Sequence, residues 1–251
     1  FFLNGGDDKL NTDWKSTETE HYIFHYKVDS LVERELEEII SLQESCFKEI
    51  TDTLKIELPV KIQYYLCNTR QEVMQESGFE YEINGIALCN PDNPKIYAIY
   101  TEDNRCIGFH EDTHAIACYL AFPESIAIIE GLAMHFDKEW WKIPNELCVY
   151  IYLKDNKYES VEHLILDNQY FCQISDSISY PIVGAFTTYL IEQYGIDKYK
   201  LLYQYSEDVN HAFQDIYGIS LSALERDFII TIQAVSYSME HCEKAQQELY
   251  T

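Results

Sequence analysis

The spacing of apolar residues changes character near residue 105, and that change restricts the fold more than any single motif. Before it, residues 20–26 alternate polar and aromatic side chains and 60–66 repeat the two-residue period, so both read as strands. Residues 85–88 and 95–100 flank Asn90-Pro91-Asp92-Asn93-Pro94, a turn by composition, and read as a β-hairpin. Within this half, 30–53 carries apolar residues at helical spacing behind Ser30, and 70–76 is a short helix ended by Gly78. After residue 105 the helical period takes over, at 105–121, 124–137, 183–194 (stopped by Gly195), 198–207 and 221–237. The pattern predicts an α+β fold: a small, mostly antiparallel sheet with one long helix in the N-terminal half, a helical C-terminal half, and a cleft between them. Residues 1–17, polar and containing Gly5, Gly6 and Asp7-Asp8, read as a flexible lead-in. Residues 18–251 read as one domain, with a β-rich lobe at about 18–104 and a helical lobe at about 105–251.

Composition excludes several classes. Hydrophobic residues make up 47% of the 251, with only 9 glycines and 6 prolines, so there is ample material for a core and no low-complexity chain. No apolar stretch is long enough to span a bilayer. With 43 acidic against 18 basic residues and a net charge of −25, the chain lacks the clustered cations that nucleic acid requires. The charge hydrates the surface, and it offers a second possibility, attraction of cationic substrates. The 8 cysteines lack any C-x-x-C spacing, so neither a disulfide framework nor a thiolate metal site is readable. Phe1 stands where Met would begin a chain. This fits a removed N-terminal signal as well as a start within a longer sequence, and an extracytoplasmic location is favoured over a cytoplasmic one.

His110-Glu111-Asp112-Thr113-His114 is H-E-x-x-H inside a predicted helix. Residues four apart on a helix share a face, so both imidazoles can reach one tetrahedral zinc ion. Glu111 stands beside the first of them, where its carboxylate can serve as general base without binding the metal. The alternative is a pair of ordinary histidines on an acidic helix. Glu130 lies 16 residues beyond His114 on the next predicted helix, within Glu130-Gly131-Leu132-Ala133. A turn at Phe122-Pro123 lets the two helices pack antiparallel and brings Glu130 over the histidine pair, which leaves one position open for water. The alternative for Glu130 is an exposed residue on an amphipathic helix. Cys106 and Cys118 continue the same helix face, as further ligands or as packing beneath the site. His21 and His25, about 13 Å apart along a strand, are too distant for one metal.

H-E-x-x-H followed by E-G-L-A resembles the gluzincin zinc metallopeptidases, in particular the small peptidase MA-like domains. Tyr180-Pro181-Ile182-Val183-Gly184-Ala185-Phe186 and the following run to Tyr194-Gly195 are similar to the segment after the family's active site, and 19–26 to its opening strand. The resemblance implies a zincin-like fold and a zinc-dependent peptidase with one ion. It implies His110, His114 and Glu130 as ligands, Glu111 as base and Tyr180 as an oxyanion donor. Its rival is a non-catalytic, acidic binding module that keeps the fold and the metal. Met134 departs from the family pattern, standing where many members carry a carboxylate that orients a ligand histidine. Asp137 or a backbone carbonyl must supply that acceptor instead. An extended peptide substrate is expected to add as a strand along Gly85, Ile86 and Ala87, where small side chains admit a second backbone.

Overall fold

The computed structural model describes residues 14–250. It divides into two compact units, one formed by the described residues up to Ser45 with Pro59–Ile107, the other by Cys46–Leu58 with Gly108 onward. The first contains strands β1 (Trp14–Glu18), β2 (Tyr22–Lys27), β3 (Ile62–Cys67), β4 (Gly85–Leu88) and β5 (Lys95–Ile99). Helix α1 (Leu31–Leu54) begins in it, and α2 (Arg70–Ser77) belongs to it. The sheet order is β1-β2-β3-β5-β4.

The expected hairpin is present, with Ile86 opposite Tyr97 in the antiparallel β4–β5 pair. The sheet is not mostly antiparallel, however. β1–β2 and β4–β5 are antiparallel, whereas β2–β3 and β3–β5 are parallel. A parallel pair needs a crossover, and α1 lies between β2 and β3 in the chain as α2 and β4 lie between β3 and β5. Side-chain alternation identifies the buried face and is blind to strand direction, which is why the sequence misleads here. Tyr22, Phe24, Ile62, Tyr64, Leu66, Ile96 and Ala98 are fully buried on one face. Tyr22 Oη donates to the Gln43 carbonyl of α1 at 3.2 Å, which fixes the helix over that face. On the other face Val73 of α2 joins Cys67, Tyr97 and Ile99. There His25, Tyr65 and Tyr97 stack across three strands, with centroids 4.3 and 4.6 Å apart. The expected lead-in is corrected in part: Trp14–Glu18 is the edge strand β1, and residues 1–13 lie outside the described region.

The second unit holds α3 (Phe109–Ala117), α4 (Ile126–Asp137), the short hairpin β6 (Glu139–Trp140) and β7 (Ile143–Pro144), and α5 (Asn145–Lys154). There follow α6 (Val161–Leu166), α7 (Asn168–Gln173), α8 (Asp176–Tyr194), α9 (Ile196–Tyr203), α10 (Val209–Tyr217), α11 (Leu221–Ala234) and α12 (Met239–Leu249). The closest helix pair is α4 with α8, and two glycines make it possible. A Cβ on Gly131 would meet Thr187 Oγ1 at 2.4 Å, and one on Gly184 would meet Met134 Cβ at 2.5 Å. The helix expected at 183–194 begins seven residues earlier and runs through Pro181. Proline cannot donate to the carbonyl four residues back, which is that of Ser177. The Tyr152 hydroxyl of α5 donates to that carbonyl instead, so the helix continues at little cost.

Glu225 is a second buried device. Its carboxylate accepts from Tyr158 Oη, Ser160 Oγ and the backbone N–H groups of Val161 and Glu162, at 2.7–3.2 Å, and fastens α11 to the start of α6. No described helix is long and apolar enough to cross a membrane, and no disulfide joins any of the eight cysteines.

Candidate metal centre

The helix that carries the two histidines is shorter than the sequence predicts. Gly108 adopts φ 122, a backbone region that side chains disfavour, and this turn delays α3 until Phe109. Asp112, Thr113, Ala115, Ile116 and Ala117 bury one face of α3. His110, Glu111 and His114 therefore occupy the other. Ser125 precedes α4, whose apolar residues Ile128, Leu132 and Phe136 are buried, and Glu130 projects from the side that meets the histidines.

Three donor atoms converge. His110 Nε2 and His114 Nε2 are 3.3 Å apart. Glu130 Oε2 is 3.3 Å from each of them. These side chains keep 27, 13 and 16% of their accessible surface, so the triangle faces a route to solvent. Glu130 Oε2 is itself buried and forms no hydrogen bond of proper geometry with the described residues. A buried carboxylate oxygen aimed between two ring nitrogens can share one metal ion with them. The residues present can hold one.

Electrostatics agree with that geometry. Burial pushes the His110 imidazole down, but Asp137 and Glu130 outweigh it and hold it well above its usual value. His114 shows the same balance and is raised, chiefly by Glu130. Burial likewise opposes ionisation of Glu130, yet His114 and His110 keep its carboxyl far below the usual range. Glu111 moves the other way: burial raises it, against the pull of His110 and His114. A carboxylate made more basic beside such a donor group is suited to accept a proton.

The His110 ring is held from its other nitrogen. Asp137, at the end of α4, accepts a hydrogen bond from His110 Nδ1 at 3.2 Å, which leaves Nε2 as the lone-pair donor. Tyr180 stacks over the same ring, with centroids 6.0 Å apart and planes 16° apart. Burial, together with the neighbouring Glu130 carboxylate, raises its phenol pKa.

The structure thus brings together His110, Glu111, His114, Glu130 and Tyr180. Gly85, Ile86 and Ala87 lie in the sheet unit, on the terminal strand β4, which pairs only with β5 among the described strands. Cys106 and Cys118 stand outside the metal-donor group. Cys106 packs against the sheet-unit core and donates to Asn104 Oδ1, and Cys118 donates to the Ala115 carbonyl. Sequence reasoning missed Trp140 and Phe171, whose rings lie 5.7 and 5.9 Å from that of Tyr180. No family model matches this chain, and no curated protein matches it significantly.

Proposed function

We propose that this chain is a zinc-dependent peptidase of the gluzincin type with a zincin-like fold. The observation that carries the reading is the donor triangle with its 3.3 Å edges. A tetrahedron with metal–ligand bonds of about 2.0 Å has edges of about 3.3 Å, so these atoms have the spacing of one tetrahedral face. Two imidazoles and a carboxylate are the donor types of a catalytic zinc site, which keeps its fourth position open. His110, His114 and Glu130 would hold the ion, which when bound supplies a Lewis acid that polarises the scissile carbonyl and acidifies a water.

The chain's own residues do the rest. Glu111 accepts a proton as the water oxygen attacks the carbonyl carbon, and passes it to the amine nitrogen as the C–N bond breaks. Tyr180 donates its hydroxyl to the oxyanion of the tetrahedral intermediate. Asp137 fixes the tautomer and tilt of His110. The peptide or protein substrate follows from this chemistry. An intact base beside a complete ligand set favours this reading over a metal-bearing binding module, which has no use for Glu111.

The test is metal content together with turnover of a broad peptide library by wild type and Glu111→Gln. The expected result is one zinc per chain in both proteins, with hydrolysis lowered about 10²- to 10⁴-fold in the variant. Unchanged turnover in Glu111→Gln would place the base elsewhere. A zinc-loaded wild type that cleaves nothing would favour the binding module.

A further inference from the structure

The surface beside the metal centre is built from one helix face and one strained hairpin. Asp176 and Tyr180 are four residues apart in the first turns of α8 and so share a face, the one that Tyr180 turns to His110. Asp176 is exposed. Among the described residues no lysine or arginine is paired with it. Trp140, half-buried, lies against Tyr180 with centroids 5.7 Å apart. The hairpin that presents it turns through Trp141 and Lys142 at φ 47 and 73, two of the six non-glycine residues with positive φ among the described residues. Such strain is retained where a side chain must be held in one place. Lys138, the cap of α4 just before the hairpin, is engaged with Glu49 at 3.4 Å.

We propose that Asp176, Trp140 and Tyr180 form a recognition wall beside the metal centre for a lysine or arginine side chain of the substrate, the rings taking its aliphatic stem and Asp176 its charge. The inference rests on the peptidase reading and deepens it by naming the substrate class. Aromatic faces attract both the stem and the cationic head of such a residue, and a carboxylate at the rim selects it over an uncharged chain of the same length. Asp176 in the first turn of α8 also favours the helix dipole, a role that changes melting temperature and not the choice of peptide.

The experiment uses zinc-loaded Glu111→Gln protein, which holds peptides without turnover. N-acetylated peptides carrying lysine, norleucine or glutamate at each position in turn are titrated calorimetrically, and the same set is given to zinc-loaded wild type as substrate. At one position lysine binds about fivefold more tightly than norleucine, and the preference shrinks as salt is added. Adding Asp176→Asn brings that ratio to about one, and Asp176→Lys reverses it in favour of glutamate. A lysine preference that survives Asp176→Asn, or no preference at all, overturns the wall. Cleavage by wild type without the preference overturns this inference and leaves the peptidase reading standing. Lysine-selective binding without cleavage supports the wall and overturns the peptidase reading.

Discussion

His21 in the sheet unit and His110 in the helical unit are both held by carboxylates, and the contrast between them separates a structural pair from a site. His21 Nδ1 meets Glu44 Oε2 at 2.6 Å. The other Glu44 oxygen accepts from Thr19 Oγ1 at 2.6 Å and from the His21 backbone N–H at 3.2 Å. Each Glu44 oxygen has a protein donor, and nothing further is needed. His110 is bonded to Asp137 through Nδ1, while its Nε2 faces a second imidazole nitrogen and a carboxylate oxygen at the same 3.3 Å. With both imidazoles neutral, these three lone pairs cannot satisfy one another, and one metal ion could take them together. Pairs elsewhere in the sheet unit, such as Lys27 with Glu72 and Lys15 with Glu33, also match charge one to one.

The comparison breaks most visibly under metal removal. In chelated protein the raised pKa values of His110 and His114 give stability that is full below about pH 6.5 and is lost as pH rises through the folded values. Metal requires both imidazoles neutral, so its stabilisation grows over the same range. Melting temperatures measured from about pH 6 to pH 9 with zinc and with chelator should therefore diverge upward. Parallel curves would show that the cluster is an ion-pair network like those of the sheet.

Next in size is Asp137→Asn. The amide can still contact His110 but cannot favour the Nδ1–H tautomer as a carboxylate does. Zinc affinity should fall about 10- to 100-fold with the fold intact. Competition against a chromophoric chelator measures this, and unchanged affinity would show that Asp137 does not orient the ligand.

The part of the site legible in the sequence is the part that depends on local spacing. H-E-x-x-H needs only the helical repeat, and Glu130 needs only one turn between two helices. Asp137 was readable as one option because Met134 leaves the usual acceptor position empty, but choosing it required knowing that its carboxylate reaches His110 Nδ1. Asp176 was hidden because Pro181 appears to forbid a helix there, and the hydroxyl that makes it possible comes from Tyr152, 29 residues earlier in the chain. The hairpin bearing Trp140 was hidden for a related reason. Its turn places Trp141 and Lys142 at positive φ, where the sequence signal is glycine or asparagine. In the sheet, the β4–β5 hairpin and the buried faces are local and were visible, whereas β1 was read as lead-in. Strand direction depends on the helical crossovers and was not.

The smallest effect belongs to the sheet pair, and it sharpens the contrast from the other side. Burial works against ionisation of Glu44, but its bonds from Thr19 and His21 win and its carboxyl is lowered. Its folded value lies below the unfolded one, so its contribution is present above about pH 4.5 and disappears as pH falls through the folded value. Glu44→Gln keeps one acceptor oxygen and removes the charge, which should cost about 1 kcal/mol at neutral pH. That cost should vanish in acid. Denaturant unfolding at about pH 7 and about pH 3 reads both ends of this change. Zinc affinity and peptide turnover should stay at wild-type values, because every group Glu44 touches is already matched by a protein partner. A Glu44→Gln protein with altered zinc affinity would mean that the sheet pair and the helical cluster titrate as one system, and the distinction between them would fail.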